Sequence, residues 1–428
     1  MKKKHQTFIY LILICSLIYN FQIFSQQKDL AAQQSNKTTG SSLWVTSYYA
    51  LWSEYNYYPT KINWAGLTHI ITFAYNPDPS NYPYFSGVTS RLFNGYPRND
   101  STMWHELKTE DTLITLAHAH NVKVLMCLGG IWGTGASNMA LIAADSVKTQ
   151  VYANSALAYA RRHGYDGVDL DWEQYIVKAD YSRLLRIFRR GLNTWNPVGL
   201  FSTATGYTPS SQYDITQLAA NLDQINIMTY DYNQGAKTWF NSPLNINTTY
   251  WDTWQSVTGN QYNGWSIADH GPQGWINAGM PASKIAIAIP FYTSLNIGND
   301  RPNQTVVSNR VFRNYEQAMT AKTAYKNDAS YAEGFDEYAK QFWFGYTAGG
   351  IKYFWSIEDS GCIYWKFYLT DSLQLGGLML YNLGDGFVLS TQKNPLLEAV
   401  RKELGLGNPL PIPKARIRGE IFFDKNRN

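Results

Sequence analysis

The chain has 428 residues, 45% of them hydrophobic and 16% charged, with a formal net charge of +4. That length suits one large α/β barrel with appendages, and so weak and evenly spread a charge argues against a nucleic-acid partner or a polybasic membrane contact. The excess lies in aromatic residues, 15 Trp and 32 Tyr; most belong in a core, and the surplus offers rings that can stack on a ligand.

Taken in chain order, the first 25 residues read as a secretory signal. Lys2, Lys3 and Lys4 precede the apolar run Phe8 to Leu17, which extends weakly to Phe24, and Ser25 offers a small residue near the cut. Asn20 and Gln22 shorten the run below a comfortable membrane span. Ile14 is bulky where lipid attachment to Cys15 wants a small residue. The expected product is secreted and extracellular, free of the membrane after cleavage, with cell-surface attachment as the alternative. Of three cysteines only Cys127 and Cys362 would remain. Two cannot build a disulfide framework, and there is no CxxC or HExxH spacing, so neither a metal nor another cofactor is expected.

Residues 26–42 are polar and small and read as a flexible lead-in. Eight short apolar runs bounded by turns then read as buried strands: Val45 to Ala50, His69 to Ala74, Lys123 to Leu128, Gly167 to Trp172, Leu200 to Ala204, Gln224 to Met228, Ile285 to Pro290 and Gly377 to Tyr381. Helical stretches such as Asp111 to His120, Ser137 to Arg162 and Ala179 to Asn193 separate many of them. Alternating strands and helices imply a parallel sheet. Eight units imply a closed (β/α)8 TIM barrel over 43–404; an open nucleotide-binding sheet would carry a GxGxxG loop after its first strand, which is missing. The segment of about 293–360 is too long for one connection. It reads as a lobe inserted between strands 7 and 8, with a helix near Asn314 to Lys326 and an aromatic patch at Phe342 to Trp355. Residues 405–414 read as a linker and 415–428 as the start of an all-β module. No internal repeat is evident.

The chemistry concentrates in Asp166-Gly167-Val168-Asp169-Leu170-Asp171-Trp172-Glu173. Strand side chains alternate, so Asp169, Asp171 and Glu173 share one face while Val168, Leu170 and Trp172 share the other. In a parallel barrel the acidic set lines the interior near the carboxyl end of strand 4, where barrel active sites form. Three buried carboxylates resist ionisation together, which favours a shared proton and a carboxyl kept neutral for general-acid work.

This run resembles the signature of glycoside hydrolase family 18, the chitinases and their relatives. Further matches follow in order: the opening strand VTSYYALW, Cys127-Leu128-Gly129-Gly130, Met228-Thr229-Tyr230-Asp231, Ile289-Pro290-Phe291-Tyr292 and Gly376-Gly377-Leu378-Met379. The resemblance spans about Leu43 to Leu404. It implies a monomeric enzyme acting on a polysaccharide, chitin or a chitooligosaccharide, by a retaining, substrate-assisted mechanism. Glu173 would be the general acid and base, Asp171 would steady the substrate acetamido group, Asp169 would share a proton with Asp171, and Tyr230 would align the acetamido oxygen. Substrate contacts would come from Tyr49, Gly130, Trp132, Met228, Asp231, Tyr292 and Tyr381, with Trp52, Tyr232 and Trp265 as further stacking candidates.

Three positions depart from the family pattern. Cys127 stands where Ser is usual, Tyr381 where Trp is usual, and Phe291-Tyr292-Thr293-Ser294 lacks the Arg of the usual FYGR. The smaller ring at 381 leaves a hydrolase of N-glycan or peptidoglycan sugars as an alternative. A non-catalytic lectin is the other, and retention of Glu173 argues against it.

Overall fold

The computed structural model describes residues 43–85, 100–130, 135–246, 265–307 and 310–406, with side chains of its first helix described from residue 108. The expected signal segment, the lead-in, the C-terminal module and Trp132 lie outside the described residues, as does most of the expected linker.

Eight parallel strands close a barrel: β1 (Trp44–Ala50), β2 (His69–Tyr75), β3 (Lys123–Gly129), β4 (Gly167–Asp171), β5 (Leu200–Thr205), β6 (Gln224–Ile227), β7 (Ile285–Pro290) and, after the lobe, β13 (Gly377–Tyr381). Each expected strand is present, displaced at its ends by no more than one residue. Around the barrel they run β1-β13-β7-β6-β5-β4-β3-β2. Alternation sorts their side chains into two layers. Val124, Met126, Val168, Leu170, Ile287, Ile289 and Leu378 face outward into the main core under the helices. Leu125, Cys127, Ala286, Ala288 and Met379 fill the barrel interior with Tyr48, Ile71 and Phe73. Two alanines on β7 leave room for the large rings opposite, as dense packing demands.

The covering helices are α1 (Asp100–Ala119), α2 (Gly135–Ala143), α3 (Ser146–Arg162), α4 (Lys178–Leu192), α5 (Ile215–Asn221) and α6 (Pro272–Asn277). The single helix expected over Ser137 to Arg162 is two helices. Asp145 breaks it: its side chain accepts from the N–H groups of Val147 and Lys148 at 2.8 and 3.1 Å, so it caps a new helix rather than continuing the old one. Among the described residues no helix is long and apolar enough to cross a membrane.

The lobe between β7 and β13 is a five-stranded antiparallel sheet of β8 (Thr293–Ile297), β9 (Arg310–Arg313), β10 (Ala332–Asp336), β11 (Gln341–Ala348) and β12 (Ile351–Ile357), in the order β10-β11-β12-β8-β9. Helix α7 (Tyr315–Tyr325) starts with a capping box at Asn314 and Gln317 and packs on one sheet face through Ala318, against Leu295, Phe344 and Trp355. The aromatic patch at 342–355 is the β11–β12 hairpin. The chain then re-enters the barrel through α8 (Ser360–Ser372) and ends its described part on α9 (Pro395–Glu403).

A buried ion pair marks that re-entry. Lys366 on α8 donates to both oxygens of Glu358, at 2.9 and 2.8 Å, and both side chains are almost fully enclosed. Such a pair does little for net stability but punishes removal of one partner. Lys366→Met is expected to destabilise the fold by about 3–5 kcal/mol, and Lys366→Met with Glu358→Gln to recover most of that loss, measured by urea unfolding.

Candidate active site

Register explains how the acidic set is tolerated. Cys127, Asp169 and Ser202 are lateral neighbours on β3, β4 and β5, so they form one layer of the interior. Asp169 is fully enclosed. It accepts from the Ser202 hydroxyl at 2.5 Å and the Tyr48 hydroxyl at 2.9 Å, and the Cys127 thiol also hydrogen-bonds it. Burial lifts its pKa, and these three donors pull it part of the way back. Among the described residues these donors, rather than a cation, compensate Asp169.

Asp171 lies one layer nearer the mouth. Its backbone is held by β3: the Gly130 N–H donates to the Asp171 carbonyl at 2.6 Å. Gly129 has φ +112°, and a Cβ there would stand 2.5 Å from that carbonyl oxygen, so the first glycine of the pair is required by close approach. The Gly130 N–H is committed to Asp171 and positions that residue.

Burial raises the Asp171 carboxyl well above the usual carboxylate range, and the charges of Glu173 and Asp169 add to it. Glu173 is half-buried. Burial raises it too, a hydrogen bond from Asp171 opposes this, and the charge of Asp231 reinforces it. The pair holds a proton between its two members at a pH where free carboxyls are ionised. The hydrogen-bonded partner of Asp171 is thus Glu173; Asp169 acts on it through charge alone. The Asp171 Oδ1 is enclosed and has no hydrogen-bond partner.

Beyond β6, Met228 and Tyr230 are half-buried and pack on the interior cluster with Trp52 and Tyr381. Burial pushes the Tyr230 phenol well up, so it is a neutral O–H donor. Tyr381 stands at the centre of a ring cluster. Its centroid lies 5.6 Å from Tyr48, 5.9 Å from Phe73 and 5.6 Å from Tyr230. Asp231 adopts φ +65°. Its N–H donates to the Asn241 Oδ1 at 3.1 Å, and its Oδ1 accepts from the Tyr292 hydroxyl at 2.8 Å. Arg310 of β9 approaches the same carboxylate at 3.6 Å and also donates to Asn233. Burial raises Asp231, while Arg310 and Tyr292 hold it down.

Two expectations are corrected. Tyr49 faces outward: it is enclosed in the main core and its hydroxyl donates to the Tyr57 carbonyl at 2.7 Å. The inward tyrosine of β1 is Tyr48, one residue earlier, because neighbouring strand positions face opposite layers. Tyr232 is likewise enclosed, its hydroxyl donating to the His270 carbonyl at 2.5 Å, and cannot serve as a platform. Trp265 is half-buried and lies flat on His270 at 4.3 Å. Sequence reasoning also missed Ser202, Asn241 and Arg310. Ser202 was within reach, since it sits on an interior position of β5; Arg310 is 79 residues from Asp231 and carries no local signal. Among the described residues no group of three or more His, Cys, Asp or Glu could hold a metal ion.

Comparisons with known proteins agree with this architecture. Chitinase A1 of Niallia circulans is 27% identical over 96% of the chain and 64% of its own length. The chain thus spans a little under two thirds of that relative. The structure of Group II chitinase catalytic domain 2 of Ostrinia furnacalis superposes with a TM-score of 0.70 at 21% identity, over 86% of this chain and 98% of that one. The chitinase-like agglutinin of Robinia pseudoacacia superposes with a TM-score of 0.64 at 22% identity, over 85% and 99%. At these identities the two structures speak for the fold. The family model for glycosyl hydrolases family 18 matches residues 45–386, which include every barrel strand but the first residue of β1, and the chain belongs to that family.

Proposed function

We propose that the chain is a secreted chitinase that hydrolyses β-1,4 linkages between N-acetylglucosamine units by a retaining, substrate-assisted mechanism. The observation that carries this reading is the Asp171 Oδ1, buried and lacking a donor, beside a Glu173 whose carboxyl is raised. A buried carboxylate oxygen is costly without a hydrogen bond. A substrate acetamido N–H supplies the missing donor at the place where the acid stands.

In the first step Glu173 gives its proton to the glycosidic oxygen as the bond from that oxygen to the anomeric carbon breaks. The substrate's own acetamido carbonyl oxygen forms the new bond to that carbon, giving an oxazolinium ion. Asp171 takes the N–H hydrogen bond and balances the positive charge that develops there. Tyr230, a neutral donor, orients the acetamido oxygen; internal attack so aligned is worth several kcal/mol, about 7 or more in good cases. In the second step the Glu173 carboxylate takes a proton from water as its oxygen attacks the anomeric carbon and the oxazolinium opens, with net retention. Asp169 keeps its place below, where Tyr48, Ser202 and Cys127 hold it. Tyr381 and the rings around it form the apolar floor of the cleavage position. Chitinase A1 of Niallia circulans bears that activity in its name, which supports the substrate class. The phenol ring at 381 covers less area than an indole, which favours N-glycan or peptidoglycan sugars as the second reading.

Two experiments test the proposal. Mass spectrometry of products from N-acetylglucosamine hexamer should show shortening by the wild type and a loss of about 10²- to 10⁴-fold in Glu173→Gln; cleavage of an N-glycoprotein alone would move the substrate to the second reading, and hexamer binding without cleavage would make the protein a lectin. The pH profile of kcat/KM reads the acid itself. Activity requires protonated Glu173, so it is present below the raised pKa and is lost as pH rises through it. Asp231→Asn removes a negative neighbour that lifts Glu173, so the alkaline limb should move to lower pH; an unmoved limb would show that Asp231 does not act on the acid.

A further inference from the structure

Strand β9 is one of the two edge strands of the lobe, and alternation decides what it shows to the catalytic mouth. Val311 pairs with Leu295 and joins it on the sheet face that packs under α7. Arg310 and Phe312 therefore project from the opposite face, beside Asn296 and Ser294. That face is joined to the segment after β6. The Asn233 amide donates to the Ser294 hydroxyl at 2.6 Å, and the Asn241 N–H donates to the Ser356 hydroxyl at 2.9 Å. Asn241 in turn holds Asp231. The lobe sheet thus forms a wall that begins at Asp231.

Phe312 is the aromatic residue at the exposed end of this wall. It is 43% exposed. Its ring meets Tyr292 edge to face at 5.1 Å and 87°, and the Arg310 guanidinium lies over it at 4.6 Å. Arg310 is anchored at its other side by Asp231 and Asn233. An uninterrupted line of contacts therefore runs from Asp231 through Tyr292 and Arg310 to an open phenyl ring. A lone exposed apolar side chain needs no explanation on an ordinary surface. On an edge strand otherwise ending in Arg310 and Arg313, against a ring that touches a catalytic-site carboxylate, its orientation is set by two partners and its remaining surface is free for a ligand.

We propose that Phe312 is a sugar-stacking residue, forming a binding position for an N-acetylglucosamine ring that adjoins the one cleaved at Asp171 and Glu173, and that Arg310 fixes its orientation. This rests on the chitinase reading above. Pyranose rings present a face of C–H groups that packs on an aromatic face, and a ring already held by neighbours loses little freedom when the sugar arrives. Arg310 also ties this position to Asp231, so the lobe is placed to sense occupancy beside the cleavage point. A chain of sugars bound along the wall would contact Phe312, whereas a single sugar at the cleavage position would not.

The test uses the full chain carrying Glu173→Gln, which removes cleavage, and titrates N-acetylglucosamine hexamer by calorimetry with and without Phe312→Ala and Phe312→Trp. Phe312→Ala should weaken hexamer binding by about three- to tenfold, and Phe312→Trp should keep or tighten it. With Glu173 restored, Phe312→Ala should raise KM for the hexamer more than it lowers kcat and should shift the product lengths. Unchanged affinity, KM and product lengths in Phe312→Ala at an unchanged Tm would overturn the proposal. Equal losses in both Phe312 variants together with a lowered Tm would also overturn it, leaving Phe312 a packing residue. If hexamer fails to bind even with Phe312 intact, the chitinase reading itself fails and this inference with it.

Discussion

Placing two aspartates and a glutamate along one face of a barrel strand is the constraint on which the rest of this molecule turns. Each carboxylate taken from water carries a desolvation cost, and each raises the next. Among the described residues the barrel meets this without a buried cation beside Asp169 or Asp171. Asp169 is surrounded by three neutral donors drawn from three different strands, Tyr48, Cys127 and Ser202, which brings its cost down while leaving its charge to act upward. Asp171 is left one donor short and shares its remaining need with Glu173. The gradient runs from full satisfaction at depth to deficiency at the mouth, and deficiency is what a binding and reacting site requires.

The departures from the family pattern acquire a physical content in this setting. A thiol at 127 is a weaker donor than a hydroxyl. Asp169 retains two oxygen donors besides it, so the layer survives the exchange. Tyr381 in place of a larger indole leaves the floor smaller, but Phe73, Tyr48 and Tyr230 all meet its ring within 6 Å and continue the aromatic surface around it. At the position of the missing Arg, Ser294 accepts from Asn233, and a guanidinium, that of Arg310 on the next strand of the lobe, lies beside Asp231. The same guanidinium lies over the Phe312 ring.

The lobe and the barrel are therefore joined at two very different places. Near the mouth, polar contacts through Ser294, Ser356 and Asn241 join the sheet to the segment that carries Asp231. At the return, the enclosed Glu358–Lys366 pair fixes the geometry of re-entry. Loss of either partner would leave the other as an uncompensated buried charge at the point where the chain returns to the barrel.

The eight strands, the closed barrel, the inserted lobe and the inward face of the acidic strand were legible in the residues themselves. Those features are written in local apolar runs and in the two-residue period, both of which a reader can count. The sequence did not determine the parity of β1, where two adjacent tyrosines left the choice of Tyr49 or Tyr48 open and a one-residue error exchanges interior for exterior. It gave no sign that Gly130 spends its N–H on Asp171, nor that one apparent helix is two, although Asp145 carries a capping side chain that a closer reading of helix starts could have used. Arg310 became visible only in three dimensions, and Ser202, although on an interior position of β5, could be set beside Asp169 only by strand register. Neither belongs to the motif it serves. Their proximity to Asp169 and Asp231 comes from strand register and from the packing of the lobe, which are properties of the whole fold rather than of any stretch of chain.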